Sequence, residues 1–117
     1  MPNSLRILVV ENHQDVLEYL QRYLESVGHT VSIARTVGEA VDLGSAGNFD
    51  VLLSDIQLPD GSGLEIPRRL NAKPRLCVAM SGHGSPADRK RSADAGFHHH
   101  LTKPFLPREV DALLAGV

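Results

Sequence analysis

The sequence has one cysteine, no tryptophan, and only three phenylalanines and two tyrosines among 117 residues. A lone cysteine cannot close an internal disulfide, so a reducing compartment is expected. Cys77, inside Leu76-Cys77-Val78-Ala79-Met80, reads as a small core residue rather than a reactive thiol. No apolar run approaches the roughly 20 residues of a membrane span. The start, Met1-Pro2-Asn3-Ser4, has no signal-peptide organisation. A cytoplasmic protein without membrane contact is therefore expected. An excess of one charge sign is also missing. Formal net charge is -2 and pI is about 6.3, which removes the electrostatic reason to expect direct nucleic-acid binding. There is no repeat, low-complexity tract or linker. The length suits a single domain over residues 1–117 with one core.

The chain alternates short apolar runs with amphipathic segments. Leu5 to Val10 reads as a buried strand, and Val16, Leu17, Leu20, Tyr23, Leu24 and Val27 carry a helical period across His13 to Val27 that Gly28 stops. Thr30 to Ala34 alternates like a half-exposed edge strand. Thr36-Val37-Gly38-Glu39 has capping-box spacing and opens a second helix to about Ala46. Val51 to Ser54 is a third strand, and Gly61-Ser62-Gly63 a loop. A third helix from about Ser62 to Asn71 is expected to kink at Pro67. Arg75 to Met80 is a fourth strand. Ser85-Pro86 caps and opens a fourth helix running to Ala95 and stopped by Gly96. Phe97 to Leu101 is a polar fifth strand. Pro107 opens a last helix, ending near Ala115, that Leu106 caps poorly and that is expected to fray.

Five strands alternating with five helices predict an α/β fold, a doubly wound five-stranded parallel sheet. The first, third and fourth strands are the most apolar and belong in the centre, which gives strand order 2-1-3-4-5 and a switch point between strands one and three. Ligands bind outside the carboxyl ends at such a point, and the residues standing there are Glu11, Asn12 and Asp55, with Ser81 and Lys103 at neighbouring strand ends. A carboxylate such as Asp55 can take a phosphoryl group as an acyl phosphate. The incoming negative charge needs neutralising, for which Mg²⁺ (or Mn²⁺), held by oxygens of Glu11, Asn12, Asp55 and a nearby carbonyl, and the Lys103 ammonium are suited. Ser81 offers a hydroxyl to a phosphoryl oxygen.

The runs Ile7-Leu8-Val9-Val10-Glu11-Asn12, Leu53-Ser54-Asp55-Ile56-Gln57-Leu58-Pro59-Asp60-Gly61, Met80-Ser81-Gly82 and Leu101-Thr102-Lys103-Pro104-Phe105, in this order, resemble the response regulator receiver domain of two-component systems, and the chemotaxis regulators among them. The resemblance implies a flavodoxin-like three-layer sandwich. It implies a phosphorelay: phosphotransfer to Asp55 from a sensor histidine kinase or phosphotransfer protein, with metal at Glu11, Asn12, Asp55 and the Gln57 backbone carbonyl. It makes Ser81 and Lys103 the residues that read the phosphoryl group, and Ser81 and His100 the switch pair. Such a phosphoprotein is not a turnover enzyme; it phosphorylates itself from a donor, with autodephosphorylation open to it. The output face would be the fourth helix, fifth strand and fifth helix, docking a downstream protein or a second copy.

Two residues depart from the family pattern. Asn12 stands where a second acid is usual, on the position that contacts metal directly. A unit charge at ~4 Å is worth roughly 1–4 kcal/mol, so weaker Mg²⁺ binding and slower phosphorylation are expected. His100 occupies the place of the usual aromatic switch residue, where an imidazole would add pH sensitivity. Asn12 also supports a rival reading, a pseudo-receiver that docks partners without phosphorylation; taken alone it is an N-cap for the first helix.

Other motifs fail. His98-His99-His100 cannot converge on one ion from a strand, where neighbours face opposite ways. Gly82-His83-Gly84-Ser85-Pro86-Ala87 lacks the acid that a dinucleotide site needs about 20 residues on. Gln57 cannot act as the general acid of an aspartyl phosphatase. Asp60-Gly61 reads as turn chemistry. The chain ends soon after its fifth helix, so the expectation is either a protein acting alone or a domain cut from a hybrid kinase or larger regulator.

Overall fold

Alternation along the three most apolar strands sorts their side chains into two cores. Ile7, Val9, Val51, Leu53, Leu76, Val78 and Met80 point to one face of the sheet, and Leu8, Val10, Leu52, Cys77 and Ala79 to the other. The computed structural model describes residues 4–82 and 84–117. The opening Met1-Pro2-Asn3, and His83 within the Gly82-His83-Gly84 run, lie outside the described residues.

The long strands are β1 (Arg6–Val10), β2 (Thr30–Ala34), β3 (Val51–Asp55), β6 (Leu76–Ser81) and β7 (His99–Thr102). They form one parallel sheet in the order β2-β1-β3-β6-β7. Counted along the chain, that is the expected 2-1-3-4-5. The helices α1 (Gln14–Ser26) and α5 (Pro107–Leu114) cover the first face with Leu17, Leu20, Leu24, Val110 and Leu114. On the second face lie α2 (Val37–Ala46) and α3 (Ile66–Arg69), which supply Val37, Ala40 and Ile66, with Phe97 beyond α4 (Pro86–Asp94). The strongly polar α4 buries Ser92 alone, so the sheet holds it by few apolar contacts. Cys77 is fully buried, and burial pushes its thiol up to about 11.

Four sequence expectations need correction. The third helix is one short turn of α-helix, not ten kinked residues. Gln57–Leu58 (β4) and Gly61–Ser62 (β5) form a small antiparallel hairpin where a plain loop was expected, and a 3-10 turn follows at Gly63–Glu65. Pro67 has no N–H to extend an α-helical ladder back into that turn, so the Ile66 N–H bonds Gly63 O and the α-helix starts only at Ile66. The fifth strand begins at His99, since Phe97 turns into the second core and His98 uses its ring Nδ1 to accept the Cys77 N–H at 2.9 Å. The last helix has a better start than Leu106 suggests: Glu109 reaches back to accept the Leu106 N–H at 2.7 Å. Tyr23 also donates its hydroxyl to Asp111, tying α5 to α1.

Asp60 does more than turn the chain. Its carboxylate accepts the Val37 and Gly38 N–H groups at 2.8 and 3.0 Å, capping α2 from a distant loop. Those bonds stabilise the carboxylate and hold its pKa below the ordinary range.

Gly63 marks the tightest approach. A Cβ there would lie 1.9 Å from the Asp55 carbonyl oxygen and 2.9 Å from Ser54 Oγ. Backbone cannot yield as a flexible side chain can. Gly63→Ala is therefore expected to destabilise the fold by at least about 3 kcal/mol, the upper end of overpacking costs. Denaturant unfolding reads this directly, and a variant as stable as wild type would refute the close approach.

Candidate functional site

The parallel register aligns the carboxyl ends of β1, β3 and β6 with the loop after β7, and the polar residues gather there. Glu11 follows β1 and is fully buried; Asp55 ends β3 and is 5% exposed. Lys103 follows β7, and its backbone N–H bonds Ser81 O at 2.7 Å, which fixes the loop against β6. Its ammonium stands 2.5 Å from Glu11 Oε1 and 3.2 Å from Asp55 Oδ2. The Lys103–Pro104 peptide is cis.

The charges shift one another. Burial raises the Asp55 pKa and the neighbouring Glu11 charge raises it further; Lys103 only partly offsets this, and Asp55 stays above the ordinary range. Burial acts on Glu11 in the same direction, but hydrogen bonds from Lys103 and His13 outweigh it and leave Glu11 below its usual range. Burial pulls Lys103 down, yet its contacts with the two carboxylates prevail and its pKa rises. The result is an ionised Glu11–Lys103 pair beside a carboxylate held less firmly in its charged form.

The structure brings Asp55, Glu11 and Lys103 into direct contact, and it sets the other expected residues around them. Gln57 donates its backbone N–H to Asp55 Oδ1 at 3.3 Å. Asp55, Ile56, Gln57, Ser81, Gly82, Asp88 and Arg91 line a cavity of about 180 Å³. Ser81 Oγ lies 2.8 Å from His100 Nε2, and His100 Nδ1 lies 3.2 Å from Ser92 Oγ. Ser81 and His100 are therefore in hydrogen-bond contact with each other. Asn12 is exposed, and its carbonyl accepts from Arg35. It does not cap α1, since His13 occupies that position without a side-chain cap. The three consecutive histidines make different contacts: His98 bonds the Cys77 backbone, His99 is exposed, and His100 meets Ser81 and Ser92.

Sequence reading missed His13 and the cavity wall on α4. Glu11 Oε2 accepts from the His13 backbone N–H at 3.1 Å and its ring Nδ1 at 3.0 Å. Glu11, His13 and Asp55 present ligand atoms that all lie within 4.8 Å of one another. The signal was a histidine two residues past a strand-end acid. Asp88 and Arg91 carried no such signal, because crossing from α4 to β3 is a tertiary event.

A family model for the response regulator receiver domain matches residues 7–115. The chain belongs to that family. Among curated relatives, the transcriptional regulatory protein ResD of Bacillus subtilis is 32% identical over 109 residues, covering 92% of this chain and 45% of ResD. Response regulator MprA of Mycobacterium tuberculosis is 33% identical, covering 92% of this chain and 47% of its own. The chain therefore spans about half the length of these curated relatives. The non-phosphorylated HemR receiver domain of Leptospira biflexa superposes with a TM-score of 0.85 at 28% identity, covering 97% of this chain and 93% of that one. Chemotaxis response regulator CheY4 of Vibrio cholerae, at 21% identity, shares the fold with a TM-score of 0.86, over 97% of this chain and 98% of its own. Receiver domains are signalling modules rather than turnover enzymes, and they generally bind Mg²⁺ through acidic residues. The donor set here suits a divalent cation: two buried carboxylates converge and an imidazole stands beside them. Among the described residues, no helix is long and apolar enough to cross a membrane.

Proposed function

We propose that this receiver domain, over residues 1–117, accepts a phosphoryl group on Asp55 and signals by a shift in conformational equilibrium. One observation carries the reading: a nearly buried carboxylate, lining an open cavity, stands 3.2 Å from a fixed ammonium. In the step, an Asp55 carboxylate oxygen forms a bond to phosphorus while the P–N bond of a donor phosphohistidine breaks. The departing imidazole keeps the electron pair. The donor would be a sensor histidine kinase or a phosphotransfer protein, on the cytoplasmic side of the cell. Lys103 meets the new charge on the phosphoryl oxygens. A divalent ion, when bound, neutralises charge on the transferring group; Glu11, Asn12, Asp55 and the Gln57 carbonyl would hold it.

Ser81 links the site to the output face. Its hydroxyl is shared with His100 on β7, beside α4 and α5. A phosphoryl oxygen competing for that hydroxyl would weaken the His100 contact and loosen α4, which buries only Ser92 against the sheet. The α4-β7-α5 face would then engage a downstream protein or a second copy.

Incubation with a small phosphodonor and Mg²⁺, followed by intact mass, tests the reading. A gain of one phosphoryl group is expected. No gain at any Mg²⁺ concentration favours the second reading, a docking module unregulated by phosphorylation. The neutral, exposed Asn12 in place of an acid supports that alternative. Restoring the charge should tighten Mg²⁺: Asn12→Asp is expected to lower the Mg²⁺ dissociation constant by about tenfold, the equivalent of ~1.4 kcal/mol. Equal affinities in a titration would dismiss Asn12 as the weak point.

A further inference from the structure

The geometry points to His13 as a nitrogen ligand that biases the acid pocket away from Mg²⁺ and toward borderline ions such as Co²⁺, Fe²⁺ or Zn²⁺. This rests on the reading that Glu11 and Asp55 hold a divalent cation, and adds which chemical class of cation they hold.

His13 follows β1 by three residues, and its ring is 72% exposed while the Glu11 side chain it touches is fully buried. Its Nδ1 is 3.0 Å from Glu11 Oε2. With metal–ligand bonds of about 2.1 Å, adjacent octahedral positions lie about 3 Å apart and opposite ones about 4.2 Å apart. The Glu11–His13 separation therefore matches two neighbouring ligands on one ion. The whole set of Glu11, His13 and Asp55 spans no more than 4.8 Å, so movements of roughly half an ångström would close it.

The same contact explains how the ring could change roles. A carboxylate only accepts hydrogen bonds, so Nδ1 carries the proton in the contact with Glu11. Transfer of that proton to Nε2, with water as its partner on so exposed a ring, frees the Nδ1 lone pair for a cation. Glu11 keeps the His13 backbone N–H as a donor at 3.1 Å, so its position does not depend on the ring.

Ligand softness then decides the ion. Mg²⁺ takes oxygen ligands and parts reluctantly with its waters, whereas imidazole suits the later divalent ions. Asn12, next in the chain, offers no carboxylate to compensate on the oxygen side, and its side chain is exposed. A pocket short of one negative charge and supplied with one imidazole should discriminate accordingly.

The test compares Co²⁺ and Mg²⁺ binding by calorimetry at one fixed pH, in wild type, His13→Gln and Asp55→Asn. Proton NMR of the Co²⁺ form is recorded alongside. Wild type should show a hyperfine-shifted, solvent-exchangeable imidazole N–H. In His13→Gln that resonance should vanish, and Co²⁺ affinity should fall by at least about tenfold, the lower end of what losing even an outer metal partner does. Mg²⁺ affinity should stay within a factor of about two. Thermal melts check that the exposed substitution leaves the fold intact. Co²⁺ binding that His13→Gln leaves unchanged overturns the nitrogen ligand while the divalent pocket survives. Binding that persists in Asp55→Asn places the ion elsewhere and overturns it as well. If neither ion binds the folded wild type, the inference and the metal reading fall together.

Discussion

Asp55→Asn is expected to abolish phosphoryl uptake and, at the same time, to raise the melting temperature at neutral pH. The first effect follows from chemistry: an amide oxygen is no nucleophile toward phosphorus, and the small phosphodonor assay should show no mass gain. The second follows from electrostatics. Burial and the Glu11 charge raise the Asp55 pKa in the fold. A group whose folded pKa lies above its unfolded value adds stability that is complete below the unfolded pKa, 3.8 here, and lost as pH rises through the folded value. At neutral pH, ionised Asp55 is therefore a liability that a neutral isostere removes. The stability gain should shrink toward pH 3, where wild type is protonated too. Two readouts of opposite sign separate lost chemistry from lost structure. A variant that still gained a phosphoryl group would move the acceptor elsewhere, and one that melted lower would contradict the like-charge account.

Lys103→Met should be the most damaging single change in the pocket. It removes the cation shared by Glu11 and Asp55, which sit 2.5 and 3.2 Å from its nitrogen. Stripping one partner from a buried pair costs roughly 3–5 kcal/mol, because the remaining charge is left desolvated. Lys103 is 23% exposed, so the lower figure of about 3 kcal/mol at pH 7 is expected. The pH dependence is diagnostic. Without the ammonium, burial raises both carboxyl pKa values in the fold, so acidification should protonate them and narrow the gap to wild type. Adding Glu11→Gln to Lys103→Met should recover part of the loss at neutral pH. A gap unchanged between pH 7 and pH 4, or a double variant no better than the single one, would falsify this picture. In wild type the Lys103 contribution has the usual sign for a raised ammonium. It is present below 10.5 and fades as pH climbs through the higher folded value.

How far these residues could be read beforehand depended on the range of the forces that place them. The central strands announced themselves because burial on both sheet faces demands unbroken apolar runs, as in Val51-Leu52-Leu53. Thr36 and Ser85 were legible as caps because a cap acts within three residues, and both hydroxyls accept the N–H expected. The third helix was overextended because the missing N–H at Pro67 delays the α-helix to Ile66 instead of kinking it, and because the hairpin at β4 and β5 takes up Ser62. Asp60 looked like a turn residue because its second partner, the start of α2, lies more than 20 positions back.

By itself the sequence determined which strands lie inside and that polar residues end them, since both are consequences of local hydrophobic patterning. It also carried the family resemblance that the receiver-domain match bears out. Only the tertiary structure decided which donor faces which acceptor: that Glu11 rather than Asp55 makes the shorter contact with Lys103, that Ser81 pairs with His100, and that His13 turns its ring to the buried acid. Those contacts cross from one strand end to another or round a loop, and their lengths depend on register, side-chain rotamer and burial, none of which a linear pattern encodes.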